Sequence, residues 1–307
     1  MSILITGGAG FIGQHLARKF NNEINKEILL VDRNLSSIQH DVLINNVLIE
    51  TDVTDYEKMQ KIIKRYSVNQ IIHLAANSDI RNGESNSNPD FRDTLDTTLV
   101  LAELIKYNQI QQVFFASSSA IFGERSQKIN QIDSQAKLPI SFYGKAKLAS
   151  EAVLAKVSND CKVNYQCIRF PNVTGPNLTH GLIYDLVRKV RKNPTELNIL
   201  GNGYQSKPFV HVQDLTSVIF DIFISECQIV ENLSPPDNIT VREIVELTCK
   251  IFRISPKVIY EKKATGWIGD VPYYSYEKSK NSIVLNTKLR SSREAVIDTL
   301  SEIVGTG

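Results

Sequence analysis

The sequence predicts an α/β protein, a doubly wound parallel sheet followed by a smaller C-terminal lobe. Three observations carry this expectation. Short apolar, often β-branched runs alternate with helical patterns through the first 170 residues, the order that produces a parallel sheet covered on both faces. A glycine-rich segment links the first such run to the first helix. From about residue 171 the alternation loosens, broken by Pro171, Pro176, Pro194, Pro208, Pro235, Pro236, Pro256 and Pro272.

The expected strands are, in order, "SILIT" (2–6), "EILLVD" (27–32), "VLIETDV" (47–53), "QIIHLA" (70–75), "QVFFASSS" (112–119) and "VNYQCIRF" (163–170). Helices are expected over 11–22, 55–66, 94–108 and 143–159, the second opened by Thr54 or Asp55 as N-cap. The expected domains are a nucleotide-binding unit over 1–170, completed by about 210–230, and a second lobe over 171–209 and 231–307. The chain contains no internal repeat and no low-complexity tract.

Composition narrows the function classes. The chain has 307 residues, 42% hydrophobic and 22% charged, enough for a sizeable core. A formal net charge of +2 offers no basic excess for nucleic acid, and no apolar run reaches the roughly 20 residues that span a bilayer. The expected setting is therefore cytoplasmic, with neither nucleic acid nor membrane as partner. Cys161, Cys167, Cys227 and Cys249 form no CxxC pair and the five histidines show no ligand spacing, so buried reduced thiols and no metal are expected.

"ILITGGAGFIGQHLARKF" (3–20) places Gly8-x-Gly10-x-x-Gly13, with Gly7 just before, directly after a strand and before an amphipathic helix. That context marks a dinucleotide-binding, Rossmann-type turn: the glycines let a pyrophosphate approach the backbone while the helix N-terminus faces its charge. A purely structural turn is the alternative. Asp32, nineteen residues after Gly13, ends the second strand, where a carboxylate accepts hydrogen bonds from ribose hydroxyls, so NAD is expected as cofactor rather than NADP. Arg33 reads either as a contact for a 2′-phosphate or as a solvated charge. Asp52 and Val53 read as flanking an adenine, or Asp52 as a helix cap.

"FYGKAKLASE" (142–151) sets Tyr143 four residues before Lys147 on one helix face, but Tyr274/Lys278 and Tyr276/Lys280 share that spacing. Context decides between them. "TGGAGFIG", "HLAA" (73–76), "SSSAIFG" (117–123), "YGKAK" (143–147) and "GNGYQSKPFVHVQDL" (201–215), in this order and with "GDVPYYSYEKSK" (269–280) near the C-terminus, resemble the extended short-chain dehydrogenase/reductase superfamily. Within it the chain is similar to NAD-dependent nucleotide-sugar epimerases and dehydratases, close to UDP-glucose 4-epimerase-like members.

The resemblance implies roles. Counting back five from Gly123 gives Ser118, which lies 25 residues before Tyr143, whereas Tyr274 and Tyr276 have Cys249 and Ile251 at that offset. Ser118, Tyr143 and Lys147 are thus the expected catalytic set, with Tyr143 as base and Lys147 holding the nicotinamide ribose and, together with the charge of an oxidised nicotinamide, lowering the phenol pKa. The expected cofactor contacts are Gly7, Gly10, Phe11, Ile12, Gly13, Asp32, Arg33, Asp52, Val53, Leu74, Ala75, Ala76, Tyr143, Lys147 and Phe170. Substrate contacts are expected from Ser118, Ser119, Asn172, Lys207, Trp267 and Asp270, which would make the second lobe the substrate-binding one. A homodimer through helices 94–108 and 143–159 is also implied.

Departures sharpen the reading. Lys207 and Trp267 stand where the family usually has arginines, so a diphosphate meets a point charge at one and none at the other. Thr94 stands where many members have Asn. Ser119-Ala120 follows Ser118 where sugar 4,6-dehydratases of this kind carry Asp-Glu, which disfavours elimination of water. The expected activity is nucleotide-sugar 4-epimerisation of the UDP-hexose type. A 4-ketosugar reductase or dehydrogenase is the alternative, with a dehydratase or a non-catalytic NAD-binding protein further behind.

Overall fold

Buried β-branched runs do become strands, and they pair in parallel. The computed structural model describes residues 2–77, 88–123, 137–266, 271, 273 and 287–305. Strands β1 (Ser2–Thr6), β2 (Glu27–Asp32), β3 (Val47–Glu50), β4 (Val68–His73), β5 (Gln112–Ser118), β6 (Asn164–Phe170) and β11 (Ile229–Asn232) form one seven-stranded sheet in the order β11-β6-β5-β4-β1-β2-β3. The β1–β2, β2–β3, β1–β4 and β4–β5 pairs are all parallel. Strand order reverses between β1 and β4, the switch point at whose carboxyl ends a Rossmann-type sheet binds its ligand.

The helices of this unit are α1 (Phe11–Glu23), α2 (His40–Leu43), α3 (Tyr56–Arg65), α4 (Thr97–Tyr107) and α5 (Phe142–Cys161). Asp55, not Thr54, caps α3: its side chain accepts the Lys58 amide. Helix α4 begins later than the pattern suggested, because a π-helical segment, Phe91–Asp96, leads into it. Strand β3 stops at Glu50, short of Val53, because Asp52 turns the chain by accepting both the amide and the hydroxyl of Thr54. One core joins Leu4, Leu29, Val31, Met59, Ile71, Leu101, Val113, Phe115, Leu154 and Cys167.

Near the amino ends of the central strands three buried glutamines are linked by hydrogen bonds. The Lys26 ammonium donates to Gln70 Oε1 (2.8 Å), Gln70 Nε2 to Gln112 Oε1 (2.6 Å), and Gln112 Nε2 to Gln166 Oε1 (3.0 Å). Gln112 also donates to the Phe223 carbonyl, and Gln166 to those of Ile222 and Cys227. Two of these carbonyls belong to the end of α7 (Val212–Ser225), where helix carbonyls lack an internal partner.

By contacts, residues 1–121, 141–169 and 216–231 make one unit, and 122–140, 170–215 and 232–307 a second. The second unit has its own core around Ile183, Leu186, Leu197, Phe209, Ile244, Val296 and Leu300. It carries three two-stranded ribbons: β7 (Asn172–Thr174) with β10 (Phe209–His211), β9 (Ser206–Lys207) with β12 (Ile239–Thr240), and β8 (Glu196–Ile199) with β13 (Lys257–Tyr260). Its helices are α6 (Leu182–Lys192), α8 (Val241–Phe252), opened by a Thr240/Glu243 capping box, and α9 (Ser292–Gly305).

The cysteines are free, but the expectation that all are buried fails for two of them. Cys161 ends α5 and Cys227 follows α7, and both are exposed; only Cys167, inside β6, is fully buried. Cys249, inside α8, is partly buried. Among the described residues, no helix is long and apolar enough to cross a membrane.

Candidate active site

The glycine segment folds back on β1 and β4. Gly7 has φ +68°, a conformation that side chains disfavour, and a Cβ there would lie 2.9 Å from the Ala75 nitrogen. A Cβ on Gly13 would meet the Gly7 carbonyl oxygen at 2.4 Å and that of Gly8 at 2.8 Å, so only glycine lets α1 start this close to the turn. The tight turn is therefore made by Gly7, three residues before Gly10, while Gly8 packs against Leu30 of β2. The N-cap of α1 is Gly10, with no side-chain hydrogen bond, and the first turn holds no acidic residue. Phe11, Ile12 and Gly13 thus open a helix whose amide end suits an anion, the fit expected of a dinucleotide pyrophosphate.

The surroundings hold that loop in place. Asp32 Oδ2 accepts the Ala9 amide at 3.1 Å, and Gln14 Nε2 donates to the Ala9 carbonyl at 2.8 Å. Burial raises the Asp32 carboxyl above its usual range, against the amides of Asn34, Ala9 and Arg33 that hold the charge. The Leu74 amide donates to the Thr6 carbonyl and the Ala75 amide to Thr6 Oγ1, which brings Leu74 to Ala76 alongside Gly7. Thr6 Oγ1 also contacts His73 Nδ1 (2.7 Å), and His73 Nε2 contacts Thr98 Oγ1 (3.2 Å). Both imidazole nitrogens are used, and burial, helped by Lys147, pushes His73 down to about 3, so it remains neutral.

On the adenosine side the arrangement is more specific than its spacing implied. Asp52 is a turn residue; burial opposes its charge, but the two Thr54 bonds with Arg92 and Arg33 outweigh burial and hold its carboxyl below the usual range. Val53 is 5% exposed and packs into the core instead of facing outward. Arg33 is half exposed but paired: its guanidinium forks onto Asp93.

Ser118 closes β5 and Tyr143 lies in the first turn of α5, whose N-cap Ser141 accepts the Gly144 amide. The fold brings them together: Ser118 and the Tyr143 phenol are hydrogen-bonded. Ser118 Oγ also accepts the Ala120 amide at 3.2 Å, and Ser119 starts the 3-10 turn Ser119–Phe122. One turn along α5, Lys147 is 2% exposed; its ammonium donates to the Ala116 carbonyl at 2.7 Å and lies 4.7 Å over the Phe115 ring and 5.8 Å from that of Tyr143.

The expected lowering of the tyrosine pKa is corrected by these surroundings. Burial pushes Tyr143 up to about 12, the Ser118 hydrogen bond pulls the other way, and the charge of Asp90 adds to the rise. Burial also brings Lys147 down to about 8, so its own charge is costly there. Asp90 was not singled out in the sequence. It is 1% exposed and accepts Asn77 Nδ2 at 2.7 Å, while the Asn77 amide donates to Thr94 Oγ1 at 3.1 Å. "NPD" (88–90) carried a helix-start signal but nothing that tied it to Tyr143.

In the second unit, Phe170 ends β6, Asn172 opens β7 and donates to the Pro208 carbonyl at 3.3 Å, and Lys207 pairs with Ile239 in β9. Trp267 and Asp270, and the repeated pairs Tyr274/Lys278 and Tyr276/Lys280, lie outside the described residues.

Comparison with known proteins agrees with this geometry. The UDP-glucose 4-epimerase of Halalkalibacterium halodurans is 28% identical over 235 residues, 71% of this chain and 69% of its own. The crystal structure of UDP-glucose 4-epimerase from Thermotoga maritima with UDP-glucose superposes with a TM-score of 0.88 at 26% identity, covering 100% of this chain and 99% of that one. The fold is shared too with the Thermus thermophilus UDP-glucose 4-epimerase complex with NAD, TM-score 0.87 at 21% identity, covering 100% of both chains. The model of the NAD dependent epimerase/dehydratase family matches residues 3–224, from β1 to the end of α7. A glycine turn closed by Asp32, with a serine and a tyrosine joined beyond it, thus sits within a match spanning most of the chain, and the chain belongs to the NAD dependent epimerase/dehydratase family.

Proposed function

We propose that this enzyme is an NAD-dependent nucleotide-sugar 4-epimerase acting on a UDP-hexose. The observation that carries the reading is the Ser118–Tyr143 hydrogen bond, with Lys147 one turn along and no ionisable side chain at Ser119 or Ala120. NAD, when bound, supplies a reversible hydride acceptor. The chain supplies the proton chemistry: Tyr143 exchanges a proton with the C4 oxygen while Ser118 holds that oxygen. A phenol pushed up to about 12 is neutral and keeps its proton, which passes to the ketone oxygen as hydride returns to the carbon. Taking the proton first, from the alcohol, needs positive charge nearby, which Lys147 contributes.

Asn172 and Lys207, with Trp267 and Asp270, are read as substrate contacts on the resemblance of "RFPNVTGP" and of the segment after the second glycine pair. Lys207 would balance a diphosphate as a point charge. The second unit is read as the lobe that selects the sugar nucleotide. A homodimer is proposed through the faces of α4 and α5 that expose Leu99 and Tyr107, 44% and 67% accessible, with Ala152 and Ala155. Light scattering tests this, and a monomer at micromolar concentration rejects it.

The activity test follows deuterium placed at C4 of UDP-glucose and UDP-galactose. An epimerase returns the label to C4 with inverted configuration and shows no net change in nicotinamide absorbance. Tyr143→Phe should slow turnover by about 10²- to 10⁴-fold while NAD still binds. Label accumulating in free NADH makes the enzyme a dehydrogenase, and a fully active Tyr143→Phe relocates the proton-transfer group.

A further inference from the structure

We propose that Asp93 enforces the preference for NAD over its 2′-phosphorylated form by keeping Arg33 engaged. Arg33 directly follows Asp32 at the end of β2, beside the carboxylate that meets the adenosine ribose, and an arginine there is the group that accommodates a 2′-phosphate. In this fold one N–H on each outer nitrogen is committed. Nη1 donates to Asp93 Oδ1 at 2.8 Å and Nη2 to Asp93 Oδ2 at 2.9 Å, a two-point fork between planar groups.

Asp93 is the anchored partner. Its side chain is 14% exposed against 53% for Arg33, and it sits in the π-helical segment before α4, where Thr97 Oγ1 donates to the Asp93 carbonyl. Two neighbours extend the network: Arg92 Nε lies 3.4 Å from Asp93, and Arg92 Nη2 lies 3.6 Å from Asp52. Counting Asp32, Asp52 and Asp93 against Arg33 and Arg92, three anions face two cations, a surplus of one negative charge. A 2′-phosphate, carrying about −1.5 to −2 charges, enters that surplus and finds the Arg33 guanidinium already paired with a carboxylate. A lone exposed ion pair would hold Arg33 weakly; the fork and the shared arginine make this one a network. The inference depends on the cofactor alone and not on the sugar chemistry, so binding measured without sugar tests it separately from the epimerase reading.

The experiment is calorimetric titration of NAD and NADP into the full chain, comparing the parent with Asp93→Asn and with the double variant Arg33→Ala/Asp93→Ala. Asp93→Asn should tighten NADP about tenfold relative to NAD, because Arg33 is released and the surplus charge removed, and the gain should shrink as salt rises. The double variant should return to within about threefold of the parent ratio, since a silenced arginine and a deleted one offer the phosphate the same nothing. The proposal is overturned if Asp93→Asn binds NAD yet gains nothing for NADP, or if the double variant keeps the gain. It is also overturned if the double variant loses NADP binding tenfold relative to NAD, because Arg33 would then already serve the phosphate in the parent. Should Asp93→Asn fail to fold, the double variant decides alone by that criterion.

Discussion

Arg169 holds Glu151 in a buried fork, Nε and Nη2 each 2.8 Å from one carboxylate oxygen, with both side chains less than a tenth exposed. Ser117 Oγ completes the group by donating to Glu151 Oε1 at 2.5 Å. Glu151 is one turn beyond Lys147, so this cluster pins α5 to β5 and β6 one turn past Tyr143 and Lys147. Removing one partner strands the other charge. Glu151→Ala should destabilise the fold by about 3–5 kcal/mol in urea unfolding, and Glu151→Met/Arg169→Met should recover much of that, since an apolar pair leaves no buried charge unpaired.

Lys147 gives a prediction of opposite sign. Its folded pKa of about 8 lies below the ordinary lysine value of 10.5, so the unfolded chain binds more protons between those pH values and stability rises with pH across that window. Below pH 8 the full penalty of the buried charge is present, about 3 kcal/mol by that difference. Lys147→Met should therefore raise the melting temperature of the cofactor-free protein at pH 7 while abolishing most turnover, and the gain should fade towards pH 10. Thermal scans at several pH values check this; a variant that melts lower at pH 7 refutes the assigned cost.

Gly13 tests the cofactor loop. A methyl group there cannot be accommodated by a flexible side chain, because the atoms it meets are the Gly7 and Gly8 carbonyl oxygens. Gly13→Ala should weaken NAD binding by about tenfold or more by pushing α1 from the turn, with far less effect on the melting temperature of the second unit. Calorimetry on the variant reads the first effect and segment-resolved hydrogen exchange the second.

The sheet and the glycine turn were legible because they rest on local rules: buried runs of Ile, Leu and Val, and glycines between a strand and a helix. Tyr143 was singled out over Tyr274 and Tyr276 only through its distance from Ser118, a reading of motif order and not of helix spacing. What escaped was long-range. Asp93 lies sixty residues from Arg33 and Arg169 eighteen from Glu151, and no periodicity announces either pair. The sign of the Tyr143 shift was missed for the same reason: the charge of Lys147 is visible in the sequence, whereas the desolvation that raises Tyr143 arises only when α5 closes over β5.

The glutamine chain running from Lys26 to the end of α7 has a direction, since each amide gives its NH₂ to the next acceptor and takes one at its own oxygen. Such a chain acts as a key for strand alignment. Sliding β4 by one residue past β5 would send Gln70 to the opposite face and orphan Gln112 Oε1, and the break would travel to the helix carbonyls that Gln112 and Gln166 satisfy. Apolar strands on either side tolerate exchange of one aliphatic residue for another and so discriminate poorly between neighbouring alignments. Three amides in a row discriminate well, and the placement of Ser118 at one end of β5 is thereby metered from Gln112 at the other.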